Sequence, residues 1–463
     1  MNISVVGAGY VGLVSGICLA ELGHRVVCVD IDAAKVEGIR DGLPPFFERG
    51  LEELLRKHIG GNFDATTDLP RAVKQTKITL ICVGTPSDRD GIDLSFIRES
   101  ARQIGRVLQE KRGYHVVVVK STVVPGTTDE VVLPILEEAS GRRAGADFGV
   151  GVNPEFLTEG QAVSDFMSPD RIVIGGINEG STDALARVYE AFYDVPLVSV
   201  NNKTAEMIKY ASNALLATQI SFANEIANLC TALGGVDVTQ VMEGVHLSHY
   251  LQPFVAGSPQ RVRAPIASFI EAGCGYGGSC LPKDVKALIT HGQQAGTSMR
   301  VLEAVAETNT HQPNLMLGLL EKHFPELTGV RVAVLGLAFK PDTDDMRESP
   351  AIPIVHSLLD RGAVVRAYDP IATRTAQRVF QSLPVHYCDT LDEAAEGVDA
   401  LMLVTRWEEF QRVPDLVEGQ TPQPVVVDGR RVLDRSRLTR YEGIGLGEDA
   451  PLPRAEPRRS RGE

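Results

Sequence analysis

The 463-residue sequence has no apolar run of membrane-spanning length and no excess of positive charge. Because a membrane-crossing helix needs about 20 consecutive apolar residues, we expect no transmembrane segment and no membrane association. The formal net charge of -14 disfavours non-specific binding to nucleic acid and anionic lipid, which are themselves negatively charged. The first strand-like run begins at Ile3, so we also expect no signal peptide.

The seven cysteines show no pattern of paired spacing. Their number is odd and most lie in apolar runs, where a buried thiol is the usual state. We therefore expect no disulfide framework and no metal site, and a reducing, cytoplasmic location. The cysteines are Cys18, Cys28, Cys82, Cys230, Cys274, Cys280 and Cys388.

Short β-branched apolar runs alternate with amphipathic stretches in two regions, residues 1–200 and 316–447. This alternation is typical of a parallel α/β sheet covered by helices on both faces. Between the two regions the pattern is helical, and one long helix is predicted from Asn202 to Gly234 because no proline interrupts it. Residues 448–463 are rich in proline and charge, so we expect this tail to be disordered.

The segment from Gly7 to Gly12 reads G-x-G-x-x-G between a predicted strand and a predicted helix. On its own it is also compatible with a plain strand-to-helix turn. In a dinucleotide site Gly7 permits the tight turn, Gly9 lets the backbone approach the pyrophosphate, and Gly12 allows close helix–strand packing. Asp30 ends the next strand, where a carboxylate accepts ribose hydroxyls and repels a 2′-phosphate, so NAD is favoured over NADP. Lys35, one helical turn later, softens that preference.

Two pairs of polar residues, each four apart, are candidates for chemistry. Glu155 and Glu159 follow a predicted strand, and Lys209 and Asn213 share one face of the long helix. The ordinary alternative for the first pair is two surface acids at a helix start, and for Lys209 it is a solvated helix lysine.

Cys280 lies at a predicted helix start marked by Pro282, after a glycine-rich loop. Free amides and the helix dipole at such a start lower a thiol pKa and favour thiolate. Asp284, four residues on, shares the face of Cys280 and is able to hold a water or tune the thiol. The ordinary alternative is a buried structural cysteine, which is the role we assign to Cys274.

The chain resembles the UDP-glucose/GDP-mannose dehydrogenase family in motifs that occur in order from Val5 to Leu433. This resemblance implies two Rossmann-like, doubly wound parallel-sheet domains joined by a long helix and a central helical domain. It assigns NAD binding to residues 1–200, dimerisation and the cysteine loop to residues 201–315, and UDP-sugar binding to residues 316–447. The motifs are GAGYVG, VGTPS, KSTVVPGTT, NPEFLTEG, EMIKYASNALLATQISFANEI, GYGGSCLPKD, GLAFKPDTDDMRESP, AYDP and VDGRRVL.

The resemblance also implies a four-electron oxidation of a sugar C6 alcohol to a carboxylate, with NAD as the oxidant. Cys280 is then the nucleophile that carries a thiohemiacetal and a thioester. Lys209 and Asn213 stabilise the alkoxide and oxyanion at C6. Glu155, Thr122 and Asp284 are candidates to position or deprotonate water, and which carboxylate is the base stays open.

Two further sets of residues follow from the resemblance. Between Gly336 and Phe339 the second α/β region has no complete dinucleotide fingerprint, which suits a nucleoside diphosphate better than a second NAD. The residues expected to contact NAD are Gly7, Gly9, Tyr10, Val11, Gly12, Asp30, Lys35, Thr85, Thr122, Glu159 and Arg347. Those expected to contact the UDP-sugar are Glu155, Phe156, Leu157, Lys209, Asn213, Arg263, Phe269, Tyr276, Gly277, Lys340 and Arg431.

The segment from His246 to Gly273 departs from the family pattern, because it is longer than usual. Neither Arg261 nor Arg263 aligns cleanly with the family arginine that reaches the site of a partner subunit. We expect a homodimer or higher homo-oligomer, to which the long helix offers a flank.

Three sugar substrates and two other protein classes stay open. UDP-glucose is favoured over GDP-mannose and over other UDP-hexoses. A two-electron β-hydroxyacid dehydrogenase shares the Lys-and-Asn helix but needs no nucleophilic cysteine. A non-catalytic sensor of NAD or nucleotide sugar has no use for Cys280, Lys209 and Asp284 together.

Overall fold

The computed structural model describes residues 1–88, 91–255, 258 and 260–452. The chain divides into two compact units, each built around one β-sheet. The first unit comprises Met1–Asn213 and Lys286–Ser298, and the second comprises Ala214–Val285 and Met299–Glu463.

The first unit is an alternation of strands and helices. Its described strands are β1 (Asn2–Val6), β2 (Arg25–Val29), β3 (Phe63–Thr66), β4 (Ile78–Ile81), β5 (Ser87–Asp88), β6 (Gly91–Ile92), β7 (Val116–Val119), β8 (Gly149–Val152), β9 (Ile172–Gly176) and β10 (Leu197–Val200). Its helices are α1 (Tyr10–Glu21), α2 (Ala33–Arg40), α3 (Leu51–His58), α4 (Leu69–Gln75), α5 (Ser95–Glu110), α6 (Leu133–Ser140), α7 (Ala162–Met167) and α8 (Glu179–Ala186). A π-helical turn, Thr128–Val132, leads into α6, and a 3-10 turn, Arg187–Tyr189, follows α8.

The second unit begins within a long helix and returns to the same alternation. The helices that follow in the chain are α9 (Asn202–Leu233), α10 (Val238–His246), α11 (Leu281–Gln294), α12 (Arg300–Glu321), α13 (Ala351–Asp360), α14 (Thr373–Val379), α15 (Leu391–Ala395) and α16 (Val413–Val417). The strands are β11 (Arg331–Leu335), β12 (Val364–Tyr368), β13 (His386–Tyr387), β14 (Ala400–Leu403), β15 (Val425–Asp428) and β16 (Tyr441–Gly443). Short 3-10 turns are Pro265–Phe269, Glu408–Arg412 and Arg435–Arg437.

The sheet of the first unit has the strand order β10-β9-β8-β7-β4-β1-β2-β3. Strands β4, β7 and β8 are buried at every residue, which explains why their sequences are apolar on both faces apart from the buried Thr79 in β4. All neighbours are parallel except β8 and β9, which pair antiparallel, so the prediction of a parallel sheet is right except at this pair. Because β9 runs antiparallel to β8, the chain can enter it from the end of the sheet where β8 finishes, without the long crossover that a parallel neighbour needs.

The sheet of the second unit has the order β13-β12-β11-β14-β15-β16, and every pair is parallel. In both sheets the order reverses beside the first strand, at β1/β4 and at β11/β14. Open α/β sheets bind ligands at this switch point, beyond the carboxyl ends of the strands. The predicted pair of doubly wound α/β domains is therefore confirmed.

The sequence patterns missed two edge strands, β3 and β16. Their sequences are FDAT and YEG, and these short runs carry few β-branched residues. An edge strand pairs through its backbone on one side only, so its side chains need not form a continuous apolar run.

The long predicted helix is present as α9, Asn202–Leu233, followed by Gly234 and Gly235 with positive φ. It begins in the first unit and ends in the second. Leu215, Phe222 and Leu229 recur at heptad spacing along it and are exposed.

The predicted tail lies partly outside the described residues, which end at residue 452. Within the described part, the Glu448 carbonyl accepts the Gly235 N–H at 2.6 Å and the Ala450 carbonyl accepts from Arg435 at 3.1 Å. No helix in the described part of the chain is long and apolar enough to cross a membrane.

Gly336, directly after β11, lies where the second switch point is tightly packed. Its φ is +90°, and a Cβ there would lie 2.4 Å from the Thr405 Cβ. We expect Gly336→Ala to lower the free energy of unfolding by about 3 kcal/mol, from backbone strain and overpacking together. Gly419→Ala is the control, because Gly419 also has positive φ but no atom within 4 Å of its Cβ position. Urea unfolding that gives equal losses for the two variants contradicts this account.

Candidate functional site

The turn after β1 has the geometry of a dinucleotide cradle. Gly7 has a φ of +103°, and a Cβ on Gly12 would lie 1.9 Å from the Gly7 carbonyl oxygen. Helix α1 thus closes directly onto the turn, which only glycine allows. The Cβ position of Gly9 has no atom within 4 Å, so space is open there for a pyrophosphate. Tyr10 and Val11 begin α1 and supply its first amides, which have no partner within a helix.

Asp30 ends β2 beside this turn. Its carboxylate accepts the Ala8 N–H at 2.9 Å, the Asp32 N–H at 3.0 Å and the Lys35 ammonium at 3.0 Å. Burial pushes the pKa of Asp30 up, but these donors more than offset burial and hold the pKa below its ordinary value. The carboxylate therefore stays charged where a ribose is expected, and the residues fit NAD. The Lys35 ammonium partly neutralises this carboxylate. The ion pair is therefore the means by which Lys35 would weaken the repulsion of a 2′-phosphate.

Two hydroxyl residues meet at the carboxyl edge of the first sheet. Thr85 follows β4 and Thr122 follows β7, and the Thr85 hydroxyl donates to the Thr122 carbonyl at 2.9 Å. The adjacent Ser121 hydroxyl donates to the Val83 carbonyl at 2.7 Å. The structure thus brings the two predicted threonines together at the carboxyl ends of the neighbouring strands β4 and β7, beside the switch point between β1 and β4.

Glu155 and Lys209 form a buried ion pair, with 3.0 Å between Oε1 and Nζ and only 6% and 5% of their side chains exposed. The other Glu155 oxygen accepts the Leu157 N–H at 2.6 Å. Burial alone would raise the pKa of Glu155, but the Lys209 charge leads the contributions that lower it below its ordinary value. The Lys209 ammonium also lies 5.4 Å from the ring centre of Phe156. Four residues predicted to contact the substrate therefore form one cluster, namely Glu155, Phe156, Leu157 and Lys209. Asn213, the fifth, lies one helical turn beyond Lys209.

Lys120 is a buried cation that the sequence patterns did not single out. Its ammonium donates to the Asn153 side-chain oxygen at 2.9 Å, and the Asn153 amide donates to the Val173 carbonyl at 2.9 Å. Lys120 also helps to lower the pKa of Glu155. A lysine at a strand end resembles a solvated residue in sequence, and only its place in the KST motif distinguishes it.

Glu48 is a second residue that the sequence patterns passed over. Its buried carboxylate accepts the Gly160 N–H at 2.7 Å, the Ala162 N–H at 3.0 Å and the hydroxyl of Tyr10. Burial and this carboxylate raise the pKa of Tyr10. Glu48 therefore ties the start of α1 to the segment that follows Glu159, and the Tyr10 ring hydroxyl is directed to Glu48.

The glycine-rich loop before α11 belongs to the second unit. Of the seven cysteines, Cys280 alone is partly exposed, and its sulfur lies 3.5 Å from the Ser279 hydroxyl. Its carbonyl accepts the Asp284 N–H at 2.8 Å, so Cys280 stands at the helix start as expected. Asp284 is buried and lies 3.0 Å from the Lys283 ammonium. Cys274 is buried, its thiol donates to the Val404 carbonyl at 3.3 Å, and burial raises its pKa.

The same loop packs against the segment after β11. The Gly278 N–H donates to the Arg347 carbonyl at 2.8 Å, while the Arg347 guanidinium pairs with Asp345. The buried Tyr276 donates its N–H to Asn309 at 2.8 Å. Gly277 lies against the Glu348 carbonyl and the Phe339 side chain.

A cavity of about 340 Å³ in the second unit is lined by four arginines. Arg263 and Arg431 were expected to contact the substrate, whereas Arg406 and Arg430 were not anticipated. Glu271 bridges the Arg263 and Arg406 guanidiniums at 2.8 and 2.7 Å. The cavity lies beyond the carboxyl ends of β14 and β15, where parallel α/β sheets bind ligands.

The four arginines differ in how they are held. The Arg431 guanidinium is fixed by Asp237 at 2.8 Å and by the Ile444 carbonyl at 3.0 Å, with 7% of its side chain exposed. Arg430 donates to the Gly275 carbonyl at 3.0 Å and so supports the glycine-rich loop. Half of the Arg406 side chain is exposed.

Of the residues predicted to contact the substrate, only Arg263 and Arg431 line this cavity, and Phe269 and Lys340 lie elsewhere in the second unit. Phe269 is half-buried at the end of a 3-10 turn. The Lys340 ammonium lies 5.8 Å from the Phe339 ring centre, in the segment that the glycine-rich loop contacts.

Asp369 ends β12 in the position that Asp30 has after β2. It is buried, and it accepts the N–H groups of Leu337, Ala338 and Ala372 at 2.8 to 3.1 Å. The Trp407 ring N–H also donates to it, at 3.2 Å. Its acceptor sites are therefore used within the protein, which agrees with the expectation that the second sheet does not hold a second NAD.

We expect Lys209→Met to lower the free energy of unfolding at pH 7 by about 3–5 kcal/mol, because it leaves Glu155 buried without its cation. In the wild-type protein the lowered pKa of Glu155 contributes stability above about pH 4.3, which is lost as pH falls through the folded-state pKa. In the variant, burial raises that pKa, so the deficit should shrink from pH 7 towards pH 5. Urea unfolding at several pH values checks this. Lys203→Met is the control, because Lys203 is also on α9 but its ion pair with Glu130 is exposed. This variant should change the free energy of unfolding little.

Three family models match the chain in succession. The NAD binding domain of the UDP-glucose/GDP-mannose dehydrogenase family matches residues 1–193, its central domain residues 203–311 and its UDP binding domain residues 333–435. These matches confirm the prediction of NAD as the cofactor and agree with a nucleotide site in the second sheet.

Known proteins are similar to this chain over nearly its whole length. The UDP-glucose 6-dehydrogenase AglM of Haloferax volcanii is 42% identical over 96% of this chain and 100% of its own. The UDP-glucose dehydrogenase structure from Pyrobaculum islandicum has 39% identity and a TM-score of 0.87, covering 96% of this chain and 97% of the other. A GDP-mannose 6-dehydrogenase of Pseudomonas savastanoi is 37% identical over 94% and 95% of the two chains. The predicted NAD-dependent nucleotide-sugar dehydrogenase is thereby confirmed, and the chain belongs to the UDP-glucose/GDP-mannose dehydrogenase family.

Proposed function

We propose that this enzyme oxidises the C6 alcohol of UDP-glucose to the carboxylate of UDP-glucuronate through a thioester on Cys280. The observation that carries the proposal is that Cys280 alone among the cysteines is partly exposed, at the start of α11. A thiolate there benefits from the helix amides and dipole. A nucleophile suits this reaction because its adduct with the aldehyde can give up a second hydride and then leaves an acyl group that water can release.

The reaction balances as two oxidations followed by one hydrolysis. Each oxidation takes one hydride from C6, for which a bound NAD would supply the acceptor, so the two oxidations use two NAD molecules in turn. In the first, the alcohol also loses its proton and becomes an aldehyde. The Cys280 thiolate then adds to this carbonyl to form a thiohemiacetal alkoxide, and loss of the second hydride from C6 leaves a thioester. Water attacks the thioester, the C–S bond breaks, and the thiolate returns.

Lys209 and Asn213 are the proposed donors to the oxygen on C6, which carries negative charge in each oxidation. Lys209 is suited to this because Glu155 holds its ammonium in place at 3.0 Å, so little reorganisation is needed. Glu155 stays ionised at neutral pH, and it, Thr122 and Asp284 are the candidates to position or deprotonate water.

The arginine-lined cavity is proposed to receive the diphosphate or nucleoside of the substrate. Guanidinium groups match phosphate oxygens in pairs, and four of them converge on one cavity. Arg406 and Arg430 join Arg263 and Arg431 in this proposal. UDP-glucose is preferred to GDP-mannose because the relatives of higher identity are UDP-glucose 6-dehydrogenases.

The stoichiometry of NADH tests this function directly. We expect two NADH per UDP-glucuronate formed, and a higher kcat/KM for UDP-glucose than for GDP-mannose. Cys280→Ser should lower turnover by about 1,000-fold or more, as loss of a covalent nucleophile does. Cys274→Ser is the matched control, since that thiol is buried, and it should leave turnover near wild type. One NADH per product, or full turnover by Cys280→Ser, rules the thioester route out.

We further propose that the enzyme is a homodimer or larger homo-oligomer that pairs along α9. Leu215, Phe222 and Leu229 form an exposed apolar row on this helix, which we call the α9 stripe. An exposed apolar row at heptad spacing is the pattern by which helices associate, and a second copy presents the same row to it.

Phe222→Arg should convert the oligomer to monomers, because it places a charge in the centre of the α9 stripe. The mass in solution, measured by size-exclusion chromatography with light scattering, reports this change. Phe96→Arg is the control, since Phe96 on α5 is 50% exposed and Phe222 is 53% exposed. A wild-type monomer, or an oligomer that Phe222→Arg leaves intact, contradicts pairing along α9.

A further inference from the structure

Glu206 is a buried carboxylate on α9 to which neither the sequence motifs nor the proposed chemistry gives a role. It lies three residues before Lys209 and seven before Asn213, so the three share one helix face. Only 2% of Glu206 is exposed. A carboxylate buried to this degree is costly unless donors satisfy it.

The donors come from the segment that carries Thr122. One Glu206 oxygen accepts the Gly126 N–H at 2.6 Å, and the other accepts the Thr128 N–H at 2.9 Å. These amides lie four and six residues after Thr122, at the entry to the π-helical turn. Hydrogen bonds to an ionised carboxylate are about twice as strong as neutral ones.

Two other contacts join the same segments. The Asn202 amide donates to the Asp129 carboxylate at 2.7 Å, and the Lys203 ammonium lies 2.7 Å from Glu130. The second of these is an exposed ion pair, which contributes little to the position of either partner. Among these contacts, Glu206 alone places a buried charge on two backbone amides at once.

We propose that Glu206 is a positioning residue: it fixes the segment carrying Thr122 against the face of α9 that carries Lys209. This inference rests on the role proposed above for Thr122. If the segment shifts, Thr122 moves relative to the buried pair of Lys209 and Glu155, and a displacement of about 1 Å at a reacting centre costs up to 100-fold in rate.

Burial raises the pKa of Glu206 to about 7, and the nearby Asp129 carboxylate adds to this shift, whereas the hydroxyl and N–H of Thr128 and the N–H of Gly126 oppose it. Lys203 is a cation whose charge acts on Glu206, and Glu130 and Lys209 are further charged groups on the two segments that meet there. Above pH 7 the carboxylate accepts both N–H groups. As pH falls through 7 the carboxylate of Glu206 takes up a proton. The oxygen that carries the proton then accepts its N–H group less strongly.

Glu206→Gln is the decisive variant, because it keeps the size of the side chain but offers only one acceptor oxygen. We expect kcat to fall roughly 10- to 100-fold, with a smaller change in KM for UDP-glucose. The wild-type profile of kcat should show an ionisation near pH 7 that the variant lacks. Hydrogen exchange at the Gly126 and Thr128 amides should become faster, while other amides keep their protection.

Glu130→Gln is the matched control, since it removes a carboxylate of the same segment that is exposed, and it should keep wild-type kcat and pH profile. Glu206→Asp is the second variant if Glu206→Gln does not fold; it retains the ionisation but loses reach, so kcat should fall. An active wild-type enzyme with unchanged kcat in either Glu206 variant overturns the inference. An inactive wild-type enzyme overturns the proposed function instead, so the two failures are distinct.

Discussion

Buried carboxylates that accept backbone amides hold the loops at the carboxyl edges of both sheets. Glu48 accepts two amides from the segment after Glu159, and Glu206 accepts two from the segment after Thr122. In the second unit Asp369 accepts amides of the turn after β11, and Asp428 accepts those of Arg430, Val432 and Leu433. A buried charge is tolerated only where donors surround it, so each loop and its acid require one another. Among the candidate site residues, Thr122 and Glu155 stand on or beside loops fixed in this way, whereas Lys209 and Asn213 stand on α9.

Asp30 and Asp369 occupy equivalent positions in the two sheets but differ in how the protein surrounds them. Both end the second strand of a doubly wound sheet, and both accept an amide from the turn after the first strand. Asp30 is only partly buried and has Lys35 as a charged partner. Asp369 is buried and accepts five N–H groups of the protein, four from the backbone and one from the Trp407 ring. The two acids therefore differ in how many of their acceptor sites the protein itself uses, and Asp30 is the one proposed to accept a ligand's hydroxyl groups.

The sequence predicted the fold well because its central strands are covered on both faces, and such burial requires continuous apolar runs. The G-x-G-x-x-G turn and the start of α11 were also predictable, since turns and helix starts depend on local residue types. The edge strands β3 and β16 have no such requirement, and the sequence did not reveal them.

The contacts within the site were harder to predict, because they join residues that are distant in sequence. Glu155 and Lys209 were recognised singly, but no periodicity links two residues on a loop and a remote helix. Lys120, Glu48 and Glu206 were missed for a related reason. Their types suggest solvent exposure, and only tertiary structure shows that they are buried and satisfied. The same holds for Arg406, which joins Arg263 through Glu271 only when the chain is folded.

The arginine-lined cavity has a consequence for how an anionic substrate reaches the protein. The chain carries a formal net charge of -14, so at long range it repels any phosphate ester. Four guanidiniums stand against three carboxylates, those of the lining acids Glu243 and Glu271 and that of Asp237 on Arg431, so the cavity has a small excess of positive charge. At about 0.1 M salt, charges act over only about 10 Å, so the repulsion from the rest of the surface is screened before the ligand arrives. If the cavity takes the nucleotide as proposed, capture depends on the field inside it, and salt weakens both the repulsion that opposes approach and the attraction that favours binding.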